Sequence, residues 1–195
     1  MKMKFIDSFK KAVFFVAILN FLYFFVEFIV ALNIRSVSLL ADSIDFIEDA
    51  SINFLIFFAV SLTTIKKARI SILLSIIMLL PGITALWAIW QQIIHQEPPA
   101  PVELSTVAFG ALIINCLCTL ILMKFRNYSG SLTKAAFLSA RNDALANIAI
   151  IFTGIITILY PSIWPDILVG LFIAYIRAES ALVIYKNATK ELKSI

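Results

Sequence analysis

The chain has 195 residues, 62% of them hydrophobic and 14% charged, with a net charge of +4. That composition excludes a soluble globular core and describes a polytopic membrane protein. The basic residues form no patch suited to nucleic acid; they serve instead as a signal of membrane orientation.

Apolar windows of about 20 residues, each enough to cross roughly 30 Å of hydrocarbon, recur along the sequence. They predict an all-α fold, a single transmembrane domain over residues 1–195 with six transmembrane helices and a lipid surround. The first span, Ala12–Ile34, follows the basic start "MKMKFIDSFKK" with no small-residue cleavage site, so it reads as a retained helix, not a signal peptide. Asn20 and Glu27 stand i, i+7 within it and share a face. The second span, Leu39–Leu62, holds the acidic run "LLADSIDFIEDAS", and the third is expected at Ile70–Ile93. His95, the single histidine, falls in the polar loop "HQEPPAPVE" that follows. Cys116 and Cys118 lie in the fourth span, Leu104–Met123, where residues two apart do not share a helix face. The fifth and sixth spans are Ala135–Leu159 and Asp166–Tyr185.

Lys and Arg outside the spans divide thirteen against one, Arg35 standing alone on its side. Basic loops stay in the cytoplasm, so the N- and C-termini are both expected there, which agrees with an even number of spans.

Asp42, Asp45 and Asp49 are related by i, i+3 and i+7 and so lie on one helix face, extended by Asn53. An aspartate near the bilayer centre costs about 2.5–3.5 kcal/mol on an insertion scale, so this stripe must face a bundle interior, water or a cation. In the fifth span Ser139, Asp143 and Asn147 form a second stripe at i, i+4 and i+8. Two such stripes facing each other make an oxygen-rich cage for a divalent cation. The alternative is that they only bond one another, or Arg141, to hold the bundle together. Glu48 points about 100° away from Asp49, and Arg141 reads as a side chain snorkelling towards the headgroups.

The segment "LNFLYFFVEFIVALNIRSVSLLADSIDFIEDASINF" resembles the signature of the cation diffusion facilitator family of divalent-metal/proton antiporters. It matches at Asn20, Glu27, Ser36, the "LLAD" of Leu39–Asp42, and Asp45-x-x-x-Asp49. In the fifth span "AAFLSARNDALAN" keeps Phe137, Leu138, Asp143, Ala144 and Leu145 of the family's "GAFLHxxxDALxS" pattern, with Ser139 at the His position. Weaker agreement lies in "EPPAPVE", Asn115 and "PDILVGLFIA".

The resemblance implies a membrane-embedded transport site of Asp45, Asp49 and Asp143 with Ser139 in the fourth place, and Asp42, Asn142, Asn147 and Glu27 as further candidates. It also implies export of a divalent cation of the Zn, Co, Cd, Mn or Fe class, with protons as counter-ion and a homodimer; the basic start with no targeting extension suits a bacterial plasma membrane. The cation is then a substrate, and neither a cofactor nor an enzymatic activity is expected. Serine in place of imidazole removes the group best suited to exchange near pH 7 and tilts ligation towards oxygen-preferring ions. The chain stops about ten residues beyond the sixth span, which suggests a short form without the family's cytoplasmic C-terminal domain. Two other classes compete. An aspartate-rich phospholipid-synthesis enzyme requires Gly after its second Asp, where Phe46 stands, and a second acidic pair. A transport-inactive partner with the same fold requires no carboxylate-dependent affinity for metal.

Overall fold

A computed structural model describes residues 2–59, 64–77, 79–125 and 131–193; within these, the side chains of residues 131–142 and of several other positions, Pro81 among them, are outside the described set. All the regular structure described is helical, in seven segments: α1 Lys2–Ile34, α2 Val37–Ala59, α3 Thr64–Ile77, α4 Leu80–His95, α5 Pro101–Met123, α6 Ser131–Leu159 and α7 Trp164–Lys193. The helices α1 and Asp7 onwards, and α5, are long and apolar enough by composition to cross a membrane: Asp7–Ile34 and Pro101–Met123. The acids of α2 and the division of the third predicted span shorten the purely apolar stretches elsewhere.

The span expected over Ile70–Ile93 falls on α3 and α4, with residue 78 between them outside the described residues. Leu79 N–H bonds the Ile76 carbonyl at 3.1 Å, and α4 opens with Pro81 in its first turn, where the missing N–H costs least.

The hairpin between α1 and α2 turns on Arg35, whose φ of 54° is left-handed, and Ser36 then caps α2 by accepting the Leu39 N–H on Oγ at 3.1 Å. Contacts across the bundle bring this hairpin, the end of α4 and the start of α7 together: Arg35 pairs with Glu97 at 2.8 Å, and Ser36 donates to Asp166 at 2.7 Å. We call this the Arg35 end. At the opposite end Phe9 of α1 meets Phe125, just past α5, with ring centroids 5.3 Å apart.

The helices sort into two groups by their packing. In the first, α1 lies against α2 and α5, and α6 lies against α5 and α2. In the second, α3 and α4 lie against α7, and α4 and α7 cover α2. Large apolar residues such as Leu22, Ile29, Phe109, Phe152 and Leu168 are exposed on the outside while carboxylates are buried inside, the reverse of a water-soluble protein.

Candidate metal centre

The interior is built in three layers. At the Arg35 end an apolar cluster contains Leu39, Leu40, Leu104 and Ile150. At the Phe9 end a second contains Val13, Ile52, Ile56 and Leu122. Between them, each of α1, α2, α5 and α6 switches from apolar to polar residues at the same depth: Asn20 and Glu27, Asp42 to Asn53, Asn115, and Asp143 with Asn147. None of these polar side chains named is more than 4% exposed.

Asp42, Asp45 and Asp49 of α2, Asn115 of α5 and Asp143 of α6 surround one narrow space, too small for a free water molecule, together with Phe46. Asp143 of the second stripe thus stands beside Asp42, Asp45 and Asp49 of the first, while Asn53 and Asn147 do not line this space and the Ser139 side chain lies outside the described residues. Among the described residues, no three of His, Cys, Asp or Glu stand close enough to hold an ion as they are placed.

The asparagines repeat one local arrangement on both helices. Asn53 donates its Nδ2 to the Asp49 carbonyl at 2.8 Å, and Asn147 donates likewise to the Asp143 carbonyl at 2.9 Å. Each thereby keeps its amide fixed one turn from an acid. Their Oδ1 atoms, and both amide atoms of Asn20, are buried with no hydrogen-bond partner among the described residues. Buried acceptors in this condition are expensive unless a donor or cation reaches them.

Glu27 is fully buried on α1 and neighbours Asp42 and Asp45. One turn before it, Tyr23 donates its hydroxyl to the Val107 carbonyl at 2.7 Å, fastening α1 to α5, and its ring meets Phe46 at 5.1 Å. Glu48 is buried too but does not line the cavity. Ser139, Arg141 and Asn142 fall on α6, and their side chains lie outside the described residues. Two contributors were not named as site residues from the sequence. Asn115 lines the cavity, and Cys118, one turn along α5, is buried within electrostatic reach of Asp49 and Asp143. The signal for Asn115 was present as an isolated amide in an apolar helix; that for Cys118 was not, because sulfur is ordinary in such a helix.

Helices with an apolar exterior and carboxylates buried between them suit a membrane-embedded domain with a polar interior. The sequence profile of the cation efflux transmembrane domain matches residues 13–192, and the chain belongs to that family. It is an integral membrane protein of a family that transports divalent metal cations. A comparison with curated proteins gave no match.

Proposed function

We propose that this chain exports a divalent transition-metal cation, of the Zn, Co, Cd, Mn or Fe class, from the cytoplasm in exchange for protons. The carrying observation is the convergence of Asp45, Asp49 and Asp143 from two helices on one buried cavity in a cation efflux domain. In this reading those three are the ligands and Ser139 takes the fourth position, with Asp42, Asn142, Asn147 and Glu27 supporting the shell. Six spans with both termini cytoplasmic, a homodimer, and a bacterial plasma membrane complete the proposal; the charge division about Arg35 supports the orientation.

The layering suggests how transport runs. A polar layer capped by apolar clusters at both ends passes an ion only if one cap opens while the other stays shut. Metal binding needs ionised ligands, so protons taken up from the receiving side weaken the hold on the metal, and metal entering from the cytoplasm displaces them. Several carboxylates buried close together favour a cation as the balancing charge.

The test is uptake into proteoliposomes with the lumen more acidic than the bath, comparing Zn²⁺, Cd²⁺, Co²⁺, Mn²⁺ and Fe²⁺. Flux of at least one ion is expected, lost in Asp49→Ala and in Asp143→Ala. Folded wild-type protein that moves none of the five would overturn the proposal in favour of an inactive partner.

A further inference from the structure

The densest polar network among the described residues is not in the acidic layer but at the Arg35 end, beyond the apolar cap. Its centre is Asp166, fully buried in the first turn of α7. One carboxylate oxygen, Oδ1, accepts the Ser36 hydroxyl at 2.7 Å, the Ser38 hydroxyl, and the Ser38 N–H at 3.2 Å. The other, Oδ2, accepts the Val37 N–H at 2.6 Å and the Gln92 side-chain amide at 3.1 Å. Gln92 also reaches the Arg35 carbonyl at 3.3 Å. The carboxylate therefore sits on the open N–H groups that begin α2, where the helix dipole favours negative charge. Close packing reinforces the junction: a Cβ on Gly170 would come within 2.6 Å of Val37 Cγ1, so the backbone of α7 lies directly on the start of α2.

These contacts join the two helix groups. Ser36, Val37 and Ser38 begin α2, which carries Asp45 and Asp49, whereas Gln92 and Asp166 belong to α4 and α7. On the outer side of the junction lies a cavity of about 250 Å³, lined by Arg35, Ser36, Leu40, Trp87, Gln91 and His95. Leu40, 5% exposed, is both part of that cavity's wall and a member of the apolar cap. Asp42, in the wall of the acidic layer, stands two residues further along α2 on nearly the opposite side of the helix, so the apolar cluster separates the two spaces. Parting the start of α2 from α4 and α7 would open that cluster, which Leu40 shares with Ala85, Ala88 and Ile167.

Resting on the alternating-access reading above, we propose that Asp166 is a positioning residue for transport: it latches α2 to α4 and α7 and holds the pathway shut at the Arg35 end. It touches no transported ion. Its bonds stabilise the form closed at that end, and weakening them moves the population towards the form open there and shut at the Phe9 end.

Thiol labelling from each side of the membrane tests this without metal or flux, so the latch and the transport proposal fail separately. The outer reporter is Leu40→Cys; the other is the native Cys118, beside the acidic layer towards the Phe9 end, with Cys116→Ser removing the exposed thiol. A membrane-impermeant maleimide is applied in turn to each face of oriented vesicles. Asp166→Asn keeps the size of the side chain but replaces an acceptor with a donor facing donors. Labelling of Leu40→Cys from the Arg35 side is expected to rise about tenfold, the loss of roughly one charge-assisted hydrogen bond's preference for the closed form, while labelling of Cys118 from the Phe9 side falls. Asp166→Glu restores much of the wild-type pattern. Unchanged labelling, or a rise at Leu40→Cys with no fall at Cys118, would mean a static helix cap that merely loosens, and overturns the latch. If Asp166→Asn does not fold, Ser38→Ala and Gln92→Leu each remove one donor and are read the same way, with about a threefold change expected.

Discussion

Replacing Gly154 by alanine should weaken the fold, although the same change in an open helix would strengthen it. A Cβ at this position of α6 would overlap the Ser105 hydroxyl of α5 outright and stand 2.9 Å from the Pro101 carbonyl oxygen. The serine can rotate away, giving up its 3.4 Å bond to the Ile151 carbonyl, worth about 0.6 kcal/mol for a hydrogen bond between membrane helices. The Pro101 oxygen belongs to the backbone and moves only with α5, an overpacking of about 1–3 kcal/mol. Against this, exchanging Gly for Ala in a helix gains about 1 kcal/mol. The balance is a loss of about 0.5–2.5 kcal/mol. Gly82 supplies the comparison, because its added Cβ meets nothing nearer than Ala174 Cβ at 3.9 Å. Gly82→Ala should therefore be neutral or stabilise by up to about 1 kcal/mol. Equilibrium unfolding in mixed micelles with rising SDS, followed by tryptophan fluorescence, measures both, and Ser105→Gly placed on Gly154→Ala should recover part of the loss. Two alanine variants shifted alike, within about 0.5 kcal/mol, would refute the close α5–α6 seam.

Two predictions concern the proposed metal chemistry. Affinity for the transported ion should fall as pH falls, by up to about tenfold per pH unit for each proton displaced, since only ionised carboxylates bind metal. Titration calorimetry in two buffers of different ionisation heat counts those protons; equal heats and a pH-independent affinity would contradict exchange. Ser139→His should move preference from Mn²⁺ towards Zn²⁺ by about tenfold, because imidazole suits zinc and oxygen suits the harder ion. Competition binding of the two ions checks it, and an unchanged ratio would place Ser139 outside the ligand shell.

The acidic layer was legible because polar residues are costly in an apolar run and their helical spacing assigns them to a face. Asp45, Asp49 and Asp143 share a cavity wall for that reason, and Asn20 and Glu27, read as one face, are both buried. Pro81 within the third expected span was not singled out in the sequence, although it removes a backbone donor there. Asp166 was read as the first residue of a span and as part of "PDILVGLFIA", with no role assigned to it. Its partners lie 128–130 residues away in Ser36, Val37 and Ser38, and 74 away in Gln92, a pairing that exists only once the helices are packed. Short-range periodicity reports which side of a helix is buried; it is silent on which helix end receives a distant carboxylate.

The tightness of the cavity has a consequence for discrimination. Too narrow to seat a water molecule, the space walled by Asp42, Asp45, Asp49, Asn115 and Asp143 has no room for an ion's hydration shell as the side chains stand. Mg²⁺ binds carboxylates but gives up water reluctantly and normally keeps several in its octahedron. If the proposed ligands take up a metal in this packing, the work of stripping water falls hardest on Mg²⁺.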